Sequence, residues 1–286
     1  MEKPEPIGNR ISQWGEGPIW VDDQLYYVDI KGQAICSYDP KSSEETEWNF
    51  DQEIGFVVGC QSGKLLYGGT NGLFFLDPDS GQSELIVDPE NEMEDNRFND
   101  GKTSPEGRVF AGTISGKREP VAKLYRLDPD RRVHIAYEPV TVSNGIVWSP
   151  DGATCYYIDT PSKEVKAFDY ESDTGELVNP RAVIDTSNIQ ASADGMAIDV
   201  DGNLWVTMCH GGCVVHYDSQ SGKEIKRIEF PAVEVTACAF GGEKMDELYV
   251  TSGIYSKGED VHGGRLFVVR DLGVSGSVFP HYDDRL

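Results

Sequence analysis

The chain is poor in basic charge. Its 286 residues carry 25 Lys and Arg against 49 Asp and Glu, a formal charge of −24. Phosphate backbones are held by clustered Lys and Arg, so a nucleic-acid binder is excluded. No run approaches 18 apolar residues, so no membrane-spanning helix is expected. Met1 to Ile11 contains no apolar core of the signal-peptide kind, and a cytoplasmic protein is expected. The familiar catalytic motifs are missing too. There is no G-x-S-x-G elbow, no G-x-G-x-x-G or P-loop, and no H-E-x-x-H among the five histidines. No apolar pattern of period 3.6 lasts ten residues, which argues against long helices. With 38% hydrophobic and 26% charged residues, the composition is that of a globular protein with an acidic surface. A high-salt habitat would produce such a surface, although 13 lysines fit it poorly.

Six cysteines without a secretory leader read as free thiols. Cys209, His210, Cys213 and His216 are the one cluster resembling a zinc site. The C-x3-C spacing has no second pair at zinc-ribbon distance, and strand alternation puts the side chains partly on opposite faces. No zinc centre is expected there.

A repeated short strand ending near a Gly-rich turn is what the chain does have. In register, the copies are Leu25-Tyr26-Tyr27-Val28-Asp29, Leu65-Leu66-Tyr67-Gly68-Gly69 and Val109-Phe110-Ala111-Gly112-Thr113, then Cys155-Tyr156-Tyr157-Ile158-Asp159, Leu204-Trp205-Val206-Thr207-Met208 and Leu248-Tyr249-Val250-Thr251-Ser252. Their starts lie 40, 44, 46, 49 and 44 residues apart. Turns such as Pro105-Glu106-Gly107 and Pro150-Asp151-Gly152 precede several of them, and a second strand ending in Tyr38-Asp39, Leu76-Asp77, Leu127-Asp128, Phe168-Asp169 or Tyr217-Asp218 follows. Strand–turn–strand at this period is a propeller blade, and six copies predict an all-β, six-bladed β-propeller forming a single domain over residues 1–286. The segment before Trp14 is expected to pair with the last blade and close the ring.

The innermost strand of each blade should begin nine to eleven residues before its anchor. That register holds Glu16, Gly55, Asn99, Asn144, Asp194 and the small Ala237–Cys238 pair. In a closed ring, the four oxygen-bearing side chains at one register converge on the axis. Two carboxylates and two amides suit a hard divalent cation such as Ca²⁺, Mn²⁺ or Mg²⁺, with Zn²⁺ and Fe²⁺ also open.

These motifs resemble the regucalcin (senescence marker protein), gluconolactonase and luciferin-regenerating enzyme family over nearly the whole chain. The resemblance rests on Gly15-Glu16-Gly17-Pro18-Ile19-Trp20, Asn96-Arg97-Phe98-Asn99-Asp100-Gly101-Lys102, Phe110-Ala111-Gly112-Thr113, Ser143-Asn144-Gly145, Ala193-Asp194-Gly195-Met196 and Phe240-Gly241-Gly242. It implies that Glu16, Asn144 and Asp194 hold one divalent metal ion, and that Arg97 and Asn99 contact substrate. A substrate-binding Glu follows the Gly-Thr motif in some relatives, and Glu119 is the one acidic residue of the short loop Ile114 to Ala122.

Hydrolysis of a sugar lactone to its aldonic acid, a reaction of carbohydrate metabolism, is therefore expected. Asp194 is the candidate general base and Arg97 and Asn99 are donors to sugar hydroxyls. Arg97 has a structural alternative as the partner of nearby Glu94 or Asp95. Lys31, Ser115, Thr160, His210 and Tyr255 are expected on the rim, His210 as a candidate substrate contact, with Ser256 to Gly264 as a flap. The rival readings are a phosphotriesterase-type hydrolase on the same site and a non-catalytic calcium-binding propeller. No heptads or long apolar edges advertise an interface, so a monomer or small homo-oligomer is expected.

Overall fold

The computed structural model describes residues 3–254, 258, 260–278 and 280–285. The described chain is almost entirely antiparallel sheet, with a single 3₁₀ turn at Thr160–Ser162. No helix among the described residues is long and apolar enough to cross a membrane.

Four sheets have four strands each and follow chain order. The first is β2 (Gly15–Val21), β3 (Gln24–Asp29), β4 (Ala34–Tyr38) and β5 (Glu45–Asn49), and the second is β6 (Ile54–Gly59), β7 (Leu65–Gly69), β8 (Gly72–Leu76) and β9 (Ser83–Val87). The third is β10 (Asn96–Thr103), β11 (Val109–Ser115), β12 (Ala122–Leu127) and β13 (Val133–Val140), and the fourth is β14 (Ser143–Trp148), β15 (Thr154–Asp159), β16 (Glu164–Glu171) and β17 (Glu176–Asp185). The remaining strands form one eight-stranded sheet. Half of it is β18 (Ser192–Ile198), β19 (Leu204–Cys209), β20 (Cys213–Tyr217) and β21 (Glu224–Glu229). The other half is β22 (Glu234–Gly241), β23 (Glu247–Gly253), β24 (Leu266–Val269) and β1 (Glu5–Ile7). One pairing, Cys209 with Glu234, joins the halves. The repeated segments read from the sequence are β3, β7, β11, β15, β19 and β23, the second strand of each unit.

β1 lies antiparallel to β24, with Glu5 opposite Val268 and Ile7 opposite Leu266, so the N-terminal strand covers the outer edge of the last unit. The first strands of the units pack side by side in order, β2 on β6, β6 on β10, β10 on β14, β14 on β18, β18 on β22, and β22 back on β2. Hydroxyls stitch this ring. Thr207 Oγ1 donates to the carbonyls of Gly195 (2.9 Å) and Thr236 (2.6 Å), and Thr236 Oγ1 reaches the Gly15 carbonyl at 2.6 Å across the junction of chain beginning and end.

The apolar core is divided between the sheets. Val28, Ile35, Ile54, Val57 and Leu76 fill the space between the first two units, and Phe110, Leu124, Trp148, Tyr157 and Phe168 fill that between the third and fourth. Leu25, Tyr27, Tyr249 and Val268 join the last unit to the first. The inner strands therefore bury both faces, and the patterns of β4, β6, β7, β14 and β20 are unbroken runs of buried residues, whereas the outer strands β5, β9 and β21 stay largely exposed. All six thiols are free and buried.

Candidate metal centre

Every first strand loses its ladder register near its start. The break falls between Glu16 and Ile19, Ile54 and Phe56, Phe98 and Asp100, Ser143 and Ile146, Ala193 and Met196, and Val235 and Cys238. A bulge frees residues from pairing and re-aims their side chains. Four of these bulges carry or adjoin the oxygen-bearing residues Glu16, Asn99, Asn144 and Asp194. Small residues let the bulged strands approach one another. A Cβ on Gly145 would sit 2.6 Å from Met196 Cβ, and one on Gly195 2.4 Å from Ala237 Cβ.

Glu16, Asn99, Asn144 and Asp194 line one cavity of about 340 Å³ together with Arg97. Trp14, Ile30, Ile114 and Val142 give it an apolar wall, and Lys31, Thr160 and His210 stand at its border. Asn144 is anchored through its amide nitrogen. Its Nδ2 donates to Thr160 Oγ1 at 2.7 Å, and Thr160 in turn donates to the Ala193 carbonyl at 2.8 Å. Asn99 Nδ2 donates to the Ser143 carbonyl (2.7 Å) and to Asn144 Oδ1 (3.0 Å), while Asn99 Oδ1 accepts Arg97 Nη1 at 2.7 Å. Arg97 is fixed from behind by Glu53 Oε2, which accepts Nε at 2.9 Å, and by the Phe98 carbonyl. Lys31 Nζ donates to the second Glu53 oxygen at 2.5 Å.

Burial and like charge outweigh the stabilising partners of both carboxylates. Burial pushes the Glu16 carboxyl well above the usual range, and the charges of Asp194 and Asp100 push it further against the Gly17 N–H and Arg97. Burial likewise raises Asp194, reinforced by Asp100 and Glu234. Asp100 is itself raised by burial. Three buried oxygen donors around one cavity, two of them mutually repelling carboxylates, fit a divalent cation, whose charge would offset that repulsion.

Glu119 is not brought to this cavity. It is exposed and borders a separate depression with Glu92, Met93 and Lys117. Ser115 lines the depression next to Arg97 rather than the cavity itself. Arg97 takes neither of its near neighbours as partner, and Asp95 pairs with Lys117 at 2.8 Å. The cysteine–histidine cluster is split, with Cys209 and His210 at the cavity and Cys213 and His216 away from it. His216 Nε2 lies 2.9 Å from Asp199 and its ring stacks on Trp205, while Cys213 belongs to the core between the fourth and fifth units. Tyr255, Ser256, Lys257 and Glu259 lie outside the described residues. Within the expected flap segment, Asp260 accepts the N–H groups of Val233 and His262, and Gly264 accepts that of Ser12. Reading by register missed Glu53, Asp100, Arg118 and Glu234, because each acts on the site from an irregular position or another unit.

The fold and cavity define an all-β protein of the propeller class with a cluster of buried oxygen donors at the head of its first strands. The chain belongs to the family described as "SMP-30/Gluconolactonase/LRE-like region", which residues 14–254 match. It is similar to regucalcin of Danio rerio, 37% identical over 284 residues covering 96% of both chains, and to regucalcin of Bos taurus, 36% identical over 277 residues covering 92% of both. A solved luciferin-regenerating enzyme superposes with a TM-score of 0.90 at 28% identity, covering 99% of this chain and 100% of that one.

Proposed function

We propose that the chain is a single-domain, six-bladed β-propeller that hydrolyses a sugar lactone to the aldonic acid, using one divalent cation held by Glu16, Asn144 and Asp194. The observation that carries this reading is the placement of those three donors in one cavity with the Arg97–Asn99 pair. Support for six blades comes from the closed order of first strands and from dividing the eight-stranded sheet at its one junction, Cys209 with Glu234. Membership of a family whose description includes gluconolactonase supports the reaction class.

A bound divalent cation supplies Lewis acidity toward a lactone carbonyl and lowers the pKa of water. The chain's own residues supply the rest. Asp194 is the proton acceptor for the attacking water, being a buried carboxylate in the wall of the same cavity. Arg97 offers its remaining N–H groups to ring hydroxyls, and Glu53 fixes the guanidinium plane that makes this directional. Trp14, Ile30, Ile114 and Val142 present an apolar wall to the C–H face of a sugar and exclude water from part of the cavity. The polar Arg97–Asn99 edge favours a hydroxylated substrate over an apolar phosphotriester.

Asp194→Asn and Glu16→Gln each abolish lactone hydrolysis while leaving the far-UV circular dichroism unchanged. Full activity in either folded variant overturns the assignment. A second reading, Ca²⁺ binding without turnover, is favoured by the all-oxygen donor set. It predicts tight Ca²⁺ uptake by a chain that adds nothing to spontaneous lactone opening.

A further inference from the structure

Beside the oxygen-donor cluster, and independent of the lactonase reading, lies a trio of a different chemistry. Cys209 ends β19, His210 opens the turn that follows, and Glu234 begins β22 in the next unit. His210 Nδ1 lies 2.7 Å from Glu234 Oε2, Cys209 Sγ lies 3.3 Å from the same oxygen, and Cys209 Sγ is 4.0 Å from His210 Nδ1. All three atoms lie within 4.8 Å of one another, and no other such group occurs among the described residues. Ligand atoms at about 2.0–2.3 Å from one tetrahedral ion stand roughly 3.3–3.7 Å apart, so only small side-chain shifts separate this trio from a coordination tripod.

The backbone holds the tripod in shape. His210 adopts φ +66° although Gly211 and Gly212 follow it in the same turn, and its backbone N–H donates to Glu234 Oε2 at 3.1 Å. Both ends of that residue are thus aimed at one carboxylate. Cys209 and Glu234 are 4% exposed, whereas the His210 side chain is 56% exposed, so the cluster has a buried floor and an open side. That side opens on the main cavity, where Cys209 and His210 are wall residues.

Charge supplies a second argument. Glu16, Asp100, Asp194 and Glu234 are each at most 9% exposed around this end of the molecule. Arg97 and Lys31 are both engaged by Glu53 and Lys102 donates to the Met196 carbonyl, which leaves Arg118 as the cavity-lining cation that acts on Asp194. One divalent ion among Glu16, Asn144 and Asp194 leaves Asp100 facing the Lys102 charge and Glu234 with His210 and the Cys209 thiol as its partners. We infer that Cys209, His210 and Glu234 form a second cation site, selective for a thiophilic ion such as Zn²⁺ and adjoining the hard-cation site in the same cavity. Thiolate and imidazole favour Zn²⁺ over Ca²⁺ or Mg²⁺, and on binding the thiol proton passes to solvent while the neutral imidazole keeps its one proton on Nε2.

The test uses the full chain, stripped of metal and then saturated with Ca²⁺ at the oxygen-donor site. Titration with Co²⁺ is expected to give a near-ultraviolet thiolate-to-cobalt charge-transfer band that reaches its limit at one equivalent and is displaced by Zn²⁺. Cys209→Ser is expected to remove the band, Glu16→Gln to retain it, and His210→Ala or Glu234→Gln to weaken Zn²⁺ at least tenfold by calorimetry. A folded wild-type chain without the band, or a band that persists in Cys209→Ser, overturns the site. Should Cys209→Ser fail to fold, the exposed His210 decides, because unchanged Zn²⁺ affinity in His210→Ala overturns it equally.

Discussion

Replacing Glu53 with Gln tests whether Arg97 is positioned or merely present. The substitution keeps the shape of the side chain and removes the charge that accepts Arg97 Nε at 2.9 Å and Lys31 Nζ at 2.5 Å. Two unit charges about 4 Å apart attract by about 4 kcal/mol at an effective dielectric of 20. Side-chain exposures of 17% for Arg97 and 27% for Glu53 mean that solvent screens part of this, and the 57% exposed Lys31 adds little. A loss of about 1–2 kcal/mol remains, equivalent to roughly a 5- to 30-fold weaker hold on groups that Arg97 binds. Because Arg97 is assigned to hydroxyls away from the reacting carbonyl, the loss belongs to KM, with kcat within about threefold of the parent. Steady-state kinetics on the hydrolysed lactone measure the split, and metal affinity should not move. An unchanged KM, or a fall confined to kcat, would refute the positioning role.

Three further outcomes follow from the same structure. Glu16→Gln should raise the thermal midpoint of the metal-free chain while weakening its metal binding, since it removes one of two repelling buried carboxylates; a lower midpoint with far-UV dichroism intact would count against the repulsion. Carboxyls raised on folding mean that the folded chain binds more protons than the unfolded one between the ordinary carboxylate range and the raised values. This contribution to metal-free stability is complete below the unfolded pKa and is lost as pH climbs through the folded values, whereas metal affinity rises over the same interval; urea midpoints measured across pH with and without cation check both signs. Deleting residues 1–8 removes the β1–β24 pairing and the packing of Ile7, and should cost about 2–3 kcal/mol in urea unfolding while promoting association through the bared edge of β24; an unchanged midpoint would mean that β1 does not close the ring.

The architecture was legible because its period repeats in the residues themselves. Leu25–Asp29, Cys155–Asp159 and Leu248–Ser252 fall on second strands because each is an apolar run held between turns, a pattern that needs no knowledge of distant partners. Counting back from those anchors reached Glu16, Asn99, Asn144 and Asp194 because the hairpin length varies by only two residues among those units. What remained hidden depends on contacts between units. Arg97 finds its partner 44 positions earlier, at Glu53 in the loop before β6, although Glu94 and Asp95 are its near neighbours. Glu234 reaches Cys209 and His210 from the following unit, so no spacing within one hairpin announces that trio. Glu119 was picked out as the sole acidic residue of its loop, yet the turn there closes on Ser115, whose carbonyl accepts the Arg118 N–H, and Glu119 is left exposed outside the cavity. Register tells which residues share a level of the ring; it says nothing about how an irregular loop folds back.

Acid release from a panel of aldonolactones, before and after chelation and with single divalent metals added back, decides whether the cavity hydrolyses lactones with a bound cation. Hydrolysis that disappears on chelation and returns with one metal is the predicted result, and it would identify lactone and cation together. Metal bound at Glu16, Asn144 and Asp194 with no release above the spontaneous rate on any lactone would contradict it.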